Sequence, residues 1–292
     1  MNKFVSPLRY PGGKLKVVDY IKRLFEVNDL CGGTYIEPYA GGASVALSLL
    51  FSEYANRIKI NDIDRSIYAF WYSVLNETEA LCRMIHDTLV SMETWETQYI
   101  VQTKKQEAGL LELGFSTFFL NRTNRSGILS GGVIGGKEQT GIYKMDARYN
   151  KRELIERIER VASYGDKIEL TSMDAVALIK RYKRTPATRT FCYLDPPYYV
   201  KGRDLYLNYY NKDDHKAIAE AIMKYKGKWI VSYDAVDFIK DLYHDYRQAE
   251  YYLSYSAGNP AKGRELMVYS NGLILPEVEI VKGNKNKVSR KM

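Results

Sequence analysis

The residues with the most specific chemistry are Asp195-Pro196-Pro197-Tyr198, which directly follow the apolar run Thr190–Leu194. The run predicts a buried strand that ends at a carboxylate. Prolines have no N–H group, so the main chain here offers carbonyls that can only accept hydrogen bonds. A flat ligand could donate one amino hydrogen to Asp195 and one to the Pro196 carbonyl, with Tyr198 stacked on its face. An aminated nucleobase fits this description, although the same residues also suit an ordinary turn.

Three other predicted strands also end in acidic residues. Glu37 follows one strand and precedes the turn Gly41-Gly42, which lacks the glycine spacing of phosphate-binding loops and suits a ligand with an ammonium group. Asp62 ends the next strand, where Rossmann-like folds place the acidic residue that binds ribose hydroxyls. Asp174 ends a later strand and either binds an adenine amino group or caps its own helix. Because strand ends of an open α/β sheet meet at one edge, the elements predict a single ligand-binding site.

An irregular segment, residues 6–14, leads into a predicted amphipathic helix. Its adjacent glycines, Gly12 and Gly13, would let the backbone approach a ligand closely, and Lys14 would then reach a carboxylate or a phosphate. A plain Gly-Gly turn before a helix explains the same residues.

A helical stretch between the second and third predicted strands contains a basic, polar segment. Arginine and asparagine side chains beside aromatic residues are what a segment in contact with phosphates and base edges needs. The alternative is a mobile surface loop with solvated charges. We expect nucleic-acid contact from Asn121, Arg122, Asn124, Arg125, Lys137 and Arg148.

The composition limits the class of protein. The chain has 292 residues, 46% of them apolar and 27% charged, as expected for a soluble globular protein with one large domain and a smaller one. Its net charge of +8 permits a polyanionic partner. The three cysteines and three histidines are scattered, so we expect neither disulfides nor a metal site. No apolar run is long enough to span a bilayer, and we expect a cytoplasmic protein without membrane contact.

Four motifs in this order resemble the Dam-like D12 class of N6-adenine-specific DNA methyltransferases. They are Arg9-Tyr10-Pro11-Gly12-Gly13-Lys14, Glu37-Pro38-Tyr39-Ala40-Gly41-Gly42, Asn61-Asp62-Ile63-Asp64 and Asp195-Pro196-Pro197-Tyr198. The resemblance covers nearly the whole chain. It implies an α/β fold with a Rossmann-like sheet of seven mostly parallel strands that binds S-adenosylmethionine, and an inserted, mainly helical target-recognition domain. The implied domains are residues 1–64 and 166–280 for catalysis, 65–165 for DNA recognition, and a disordered basic tail, 281–292.

The resemblance also implies roles for individual residues. Lys14 would lie near the methionine carboxylate of the cofactor, Glu37 and Gly41 beside its methionine, Asp62 at its ribose and Asp174 at its adenine. Tyr10 and Asp195 complete the implied cofactor-binding set. Asp195, Pro196 and Tyr198 would hold a target adenine that has left the DNA duplex.

One departure from the family pattern concerns the recognition sequence. Relatives that modify GATC usually carry a hairpin of the Phe-Asn-Val-Pro-Phe-Gly type late in the recognition domain, where this chain has residues 141–150 without that motif. The recognition sequence is therefore left open. So is the biological role, which for a bacterial or phage-encoded enzyme includes protection against a cognate restriction endonuclease.

Two alternative functions follow from the same residues. Related folds use similar Pro-Pro-Tyr motifs to methylate other planar amines, such as the cytosine N4 amine or a side-chain amide. The Asp at position 195 favours adenine. A DNA-binding relative without catalysis is the second alternative, and tight cofactor binding without turnover would identify it.

Overall fold

A computed structural model describes residues 5–9, 14–182, 188–199, 210–254, 262–281 and 287–288. The strands are β1 Gly33–Glu37, β2 Ala55–Asn61, β3 Ile168–Thr171, β4 Thr190–Leu194, β5 Lys228–Asp234, β6 Arg247–Ser254, β7 Lys262–Tyr269 and β8 Lys287–Val288. The helices are α1 Val18–Val27, α2 Ser44–Phe51, α3 Arg65–Asn76, α4 Thr78–Asp87, α5 Met92–Thr103, α6 Leu110–Thr123, α7 Lys151–Ala162, α8 Ala175–Tyr182, α9 Lys212–Met223 and α10 Asp237–Leu242.

Two compact units divide these elements between them. One comprises the described parts of Met1–Pro11 and Asp62–Ser172, and the other those of Gly12–Asn61 and Met173–Met292. The first unit therefore holds α3 to α7 and β3, together with the start of the chain. The second holds the remaining strands and helices.

The second unit is built on a twisted open sheet. Its seven described strands are ordered β2-β1-β4-β5-β7-β6-β8. β1, β2, β4 and β5 are parallel neighbours, whereas β5 pairs with β7, and β6 with β7 and β8, in antiparallel fashion. The predicted Rossmann-like sheet is thereby confirmed. Because parallel strands end at the same edge, Glu37, Asn61, Leu194 and Asp234 terminate there, and antiparallel pairing places Glu265 of β7 opposite Asp234.

The strand before the proline motif lies deep in this sheet. All five residues of β4 are buried, as expected for a parallel strand covered by helices on both faces. A core of apolar side chains surrounds it, with Leu178 and Ile179 from α8, Ile218 and Ile222 from α9, and Trp229 from β5. Rigid packing on both faces fixes the position at which the chain leaves β4.

The first unit is organised around α6. This helix is buried on all sides from Leu113 to Thr123, and α3 and α5 pack against it. Gly114 permits the crossing with α3, because a Cβ atom there would lie 2.4 Å from the Ser73 hydroxyl and 2.7 Å from the Ala69 carbonyl. The helical stretch predicted between the second and third strands is thus confirmed as secondary structure, and its role in DNA recognition stays a prediction.

Two further predictions fall largely outside the described residues. The sequence of residues 200–211 predicts a flexible active-site loop, of which the structure describes only Tyr210 and Asn211. Of the basic tail 281–292 it describes Val281 and β8, which pairs with β6. No helix within the described ranges is long and apolar enough to cross a membrane.

Candidate active site

Asp195 is the first residue after β4, and its side chain is 22% exposed. Its Oδ1 atom accepts a hydrogen bond from the Ser232 hydroxyl at 2.7 Å and lies 2.8 Å from the Lys14 ammonium nitrogen. Both partners bind the same oxygen, and no hydrogen bond from the described residues reaches Oδ2. The carboxylate is held from one side and can accept a further donor on the other.

Lys14 begins a short 3₁₀ turn before α1. Its ammonium group also donates to the hydroxyls of Tyr198 at 3.2 Å and Ser232 at 3.1 Å, and lies 3.9 Å from Glu265 Oε2. Burial lowers the pKa of Lys14, but the Asp195 carboxylate opposes this effect, and the net pKa lies well above the ordinary value. Lys14 is therefore charged at neutral pH and compensates the acidic side chains around it.

The rest of the proline motif is packed into the sheet edge. Pro196 and Tyr198 are buried, and the Tyr198 hydroxyl donates to Glu265 Oε2 at 2.7 Å. The backbone N–H of Tyr199 donates to Asp234 Oδ1 at 2.9 Å, which ties the motif to the end of β5. The predicted stacking of Tyr198 on a target base stays a prediction, and in this structure its ring is only 5% exposed.

Asn61, at the end of β2, joins two of the predicted ligand-binding loops. Its side-chain amide donates to the carbonyls of Pro38 and Met173, both at 2.9 Å, and its Oδ1 accepts from the Met173 N–H at 2.8 Å. Pro38 follows Glu37, which is buried, and Met173 precedes Asp174. Asn61 thus fixes the backbone beside two predicted cofactor-binding residues.

The glycine turn between β1 and α2 has the backbone that its sequence predicts. Gly41 has φ of +45° and Ala43, directly before α2, has φ of +46°, both in the left-handed region. Gly41 is buried and lies at the same sheet edge as Glu37. A glycine at position 41 fits this left-handed backbone, and the close approach of a ligand to the turn stays a prediction.

The remaining two acidic residues have local hydrogen bonds. In the first unit, Asp62 Oδ1 accepts from the Asp64 N–H at 3.0 Å, and Asp64 caps α3 through the Ser66 N–H. In the second unit, exposed Asp174 accepts from the Ala177 N–H at 2.9 Å and so caps the start of α8. These bonds engage one oxygen of Asp62 and one of Asp174, and the predicted cofactor contacts of both residues stay predictions. Tyr10 lies outside the described residues.

Three of the six residues expected to contact nucleic acid are buried in the first unit. Asn121 donates to the carbonyls of Arg9 and Gly127 and accepts from the Arg9 N–H. Asn124 accepts from the Trp95 indole and donates to the carbonyls of Ile128 and Leu129. These amides hold the start of the chain and the loop after α6, so their described roles are structural.

Arg122 is the third buried residue. Its guanidinium donates twice to the Pro7 carbonyl, once at 2.8 Å. Burial lowers the pKa of Arg122 to about 9, and the positive charges of Arg157 and Arg9 act in the same direction. Arg122 is charged at neutral pH, but as placed it anchors the chain before the glycine segment and faces no solvent.

The other three residues are exposed. Arg125, Lys137 and Arg148 all lie on the surface after α6, and the chain between them is rich in glycine. The Arg125 guanidinium passes over Gly132, where a Cβ atom would lie 2.7 Å from its Nη2. These three side chains are available to a polyanion, and their contact with DNA stays a prediction.

Three residues around the site were not found from the sequence, namely Asn61, Ser232 and Glu265. Ser232 and Glu265 lie inside strands β5 and β7, in runs that read as ordinary core strands. Their partners are far away in sequence, and the side chains are fully buried. A buried Glu within an apolar strand is itself a signal, because such a residue requires a charged or hydrogen-bonding partner.

The donor set fits S-adenosylmethionine. Glu37, buried at the end of β1, and Asp195 offer negative charge to a ligand that carries an ammonium and a sulfonium. The turn at Gly41 has a left-handed backbone and lacks the glycine spacing of a phosphate-binding loop. Among the described residues, no group of three or more acidic, histidine or cysteine side chains could hold a metal ion.

The chain is similar to one viral enzyme over most of its length. It is 26% identical over 251 residues to the Type II methyltransferase M.CviBI of Paramecium bursaria Chlorella virus NC1A, covering 85% of this chain and 90% of that protein.

Similarities to solved structures are more distant. The S-adenosylmethionine-dependent methyltransferase of Agrobacterium tumefaciens has 8% identity and a TM-score of 0.43, and the match covers 88% of this chain but only 61% of that protein. The rRNA methyltransferase AviRa of Streptomyces viridochromogenes has 11% identity and a TM-score of 0.36, over 89% of this chain and 86% of that one.

A family model covers residues 10–255, which include all four motifs from Tyr10 onward and both units. The chain belongs to the D12 class N6 adenine-specific DNA methyltransferase family, and its cofactor is S-adenosylmethionine.

Proposed function

We propose that the protein transfers a methyl group to the exocyclic N6 amine of an adenine that has left the duplex within a short DNA motif. The observation that carries the proposal is the position of Asp195. It is held at the end of β4 through one oxygen by Lys14 and Ser232, beside two prolines whose carbonyls only accept hydrogen bonds.

The chemistry requires an acceptor at this position. The lone pair of the adenine amine is delocalised into the ring, so the amine is a poor nucleophile. Hydrogen bonds from its two hydrogens to Asp195 and the Pro196 carbonyl favour a pyramidal nitrogen with a localised lone pair. No covalent intermediate with the protein is needed.

S-adenosylmethionine, when bound, supplies an electrophilic methyl group on a sulfonium. The amine nitrogen would take this methyl group as the carbon–sulfur bond breaks with its electron pair left on sulfur. The surplus proton on nitrogen would then pass to solvent. We assign cofactor contacts to Tyr10, Lys14, Glu37, Gly41, Asp62 and Asp174, as the family resemblance implies. Asp195 accepts the amine hydrogen and orients the nitrogen toward the methyl group.

DNA contact is assigned to the exposed side chains Arg125, Lys137 and Arg148. They combine positive charge with a glycine-rich loop that Asn124 holds in place. The buried Asn121, Arg122 and Asn124 support this loop and the start of the chain, and a direct contact with DNA would require them to leave their present partners. The name of the viral relative supports a further assignment, to protection of DNA against an endonuclease with the same recognition motif.

The substitution Asp195→Ala tests the proposed reaction. Because phosphate contacts dominate DNA affinity, we expect the variant to lose methylation while its affinity for duplex DNA stays nearly unchanged. Transfer of a radioactive methyl group to DNA and a filter-binding assay measure the two properties. Near-normal turnover by Asp195→Ala would overturn the mechanism. Mass spectrometry of the DNA methylated by the wild-type protein tests the target base, because methylcytosine in that product would identify the cytosine amine as the acceptor.

A further inference from the structure

Beneath Asp195 lies a buried hydroxyl whose hydrogen-bonding capacity is completely used. Ser232 donates its one proton to Asp195 Oδ1 at 2.7 Å, and its oxygen accepts from Lys14 at 3.1 Å. The Tyr193 hydroxyl lies 2.9 Å away and acts as donor, because the serine proton is already engaged. Ser232 is fully buried, so these directions have no competition from water. The proton of Ser232 therefore points at one defined oxygen of Asp195.

Lys14 and Glu265 complete the same network. The ammonium has three hydrogens, and Asp195, Ser232 and Tyr198 are within hydrogen-bond distance of its nitrogen. The Tyr198 hydroxyl donates a hydrogen bond to Glu265 Oε2, and Glu265 is 1% exposed. The single positive charge of Lys14 thus lies between two carboxylates, Asp195 at 2.8 Å and Glu265 at 3.9 Å.

We infer that Ser232 and Glu265 are positioning residues for methyl transfer. Ser232 saturates Oδ1 of Asp195 together with Lys14, so that the target amine donates to Oδ2. Glu265 attracts Lys14 and Tyr198 toward β7, so the charge of the ammonium is shared between Glu265 and Asp195. The Asp195 carboxylate thereby keeps its strength as a hydrogen-bond acceptor. The inference rests on the proposed function, because it assigns these residues to the same Asp195.

The first test is Ser232→Ala with Ser270→Ala as its matched control. Ser270 is also buried in the same sheet, where its hydroxyl accepts from the N–H of Trp229, three residues before Ser232 in β5, at 3.0 Å, and within the described part of the chain no hydrogen bond links it to Asp195. Hydrogen-bonded partners that orient metal ligands typically contribute about 10- to 100-fold to activity, and we take the same factor for a partner that orients Asp195. We expect Ser232→Ala to lower kcat by about that factor, with little change in the Kd for S-adenosylmethionine measured by calorimetry or in the KM for DNA. Ser270→Ala should keep the wild-type kcat.

The second variant, Glu265→Gln, keeps an acceptor for Tyr198 and removes the negative charge beside Lys14. We expect about a tenfold lower kcat, again with little change in cofactor affinity. This variant keeps the inference testable if Ser232→Ala fails to fold. A wild-type kcat in a folded Ser232→Ala or in Glu265→Gln, or a loss seen only in cofactor affinity, would overturn the inference while leaving the proposed function intact. A wild-type enzyme that methylates no DNA would overturn both.

Discussion

At the scale of single residues, side chains that could react are easier to predict from the sequence than the side chains that hold them in place. Asp195 is preceded by an apolar strand and followed by two prolines, so both its position and its chemistry can be inferred from neighbours in the sequence. Asn61 has no such context, yet it bonds Pro38 and Met173, which are 23 and 112 residues away. Its importance is a property of the fold.

The substitution Asn61→Ala tests this role. The loss of the three hydrogen bonds of the Asn61 side chain should free the loops after Glu37 and before Asp174, and weaken the binding of S-adenosylmethionine in calorimetry. Each bond contributes about 1 kcal/mol to stability, so the free energy of unfolding should also fall.

Asn28→Ala is the matched control. Asn28 is likewise buried and binds the carbonyls of Leu24 and Ile274 in the same unit. It should lose comparable stability without losing cofactor affinity. Equal cofactor affinities for the two variants would contradict the role assigned to Asn61.

Prediction from sequence at the residue scale was least informative for the basic segment. Arginine and asparagine side chains are equally suited to contacts with nucleic acid and to hydrogen bonds with unpaired backbone carbonyls. Asn121, Arg122 and Asn124 make hydrogen bonds of the second kind, whereas Arg125 is exposed. Asn121, Arg122 and Asn124 are inside the last turns of α6 or directly after it, where the helix is buried on every side. Only the packing of α6, which depends on α3 and α5, distinguishes them from exposed Arg125.

At the scale of elements, the end of α6 fixes both the start of the chain and the loop that follows the helix. Arg122 binds Pro7, and the Asn124 side chain binds Trp95 together with two carbonyls of the loop. The loop also pairs with itself, since Asn124 forms an isolated antiparallel bridge with Val133. A loop held at this many points can present exposed side chains with little entropy left to lose on binding.

Two substitutions, Arg122→Ala and Arg125→Ala, distinguish structural support of the loop from direct contact with DNA. Arg122→Ala leaves a buried carbonyl unpaired and should lower the free energy of unfolding by about 2 kcal/mol in chemical denaturation. Arg125→Ala should leave the free energy of unfolding unchanged. It should either weaken DNA binding, with about one fewer counterion released on binding, or relax the choice of recognition sequence. Wild-type DNA affinity and sequence choice in Arg125→Ala would place the DNA contact elsewhere.

At the scale of the whole molecule, the strands and helices were the most predictable part. The apolar run Thr190–Leu194 predicts a strand from its residues alone, and the structure has β4 with those same bounds. The spacing of apolar residues is a local property of the sequence. It predicts a strand or helix wherever a run is long enough to bury one face. β7 lies between β5 and β6 in the sheet, and this pairing depends on contacts between distant parts of the chain. The position of Glu265 beside Lys14 results from this pairing, so it could not be predicted from the sequence.

The net charge of +8 belongs to the whole chain and fits a polyanionic partner. It does not identify a target base. That assignment depends on the family and on the geometry around Asp195, and it is the central claim to test.

The most direct measurement is to express the protein in a host that lacks adenine methylation and to sequence the genomic DNA by a method that reports modified bases at single-nucleotide resolution. Asp195→Ala, expressed to the same level, is the control. We predict N6-methyladenine in one short, consistent motif with the wild-type protein and none with the variant. Modified cytosine, or unmodified DNA from cells in which the protein is soluble and binds S-adenosylmethionine, would contradict adenine methylation of DNA as the function.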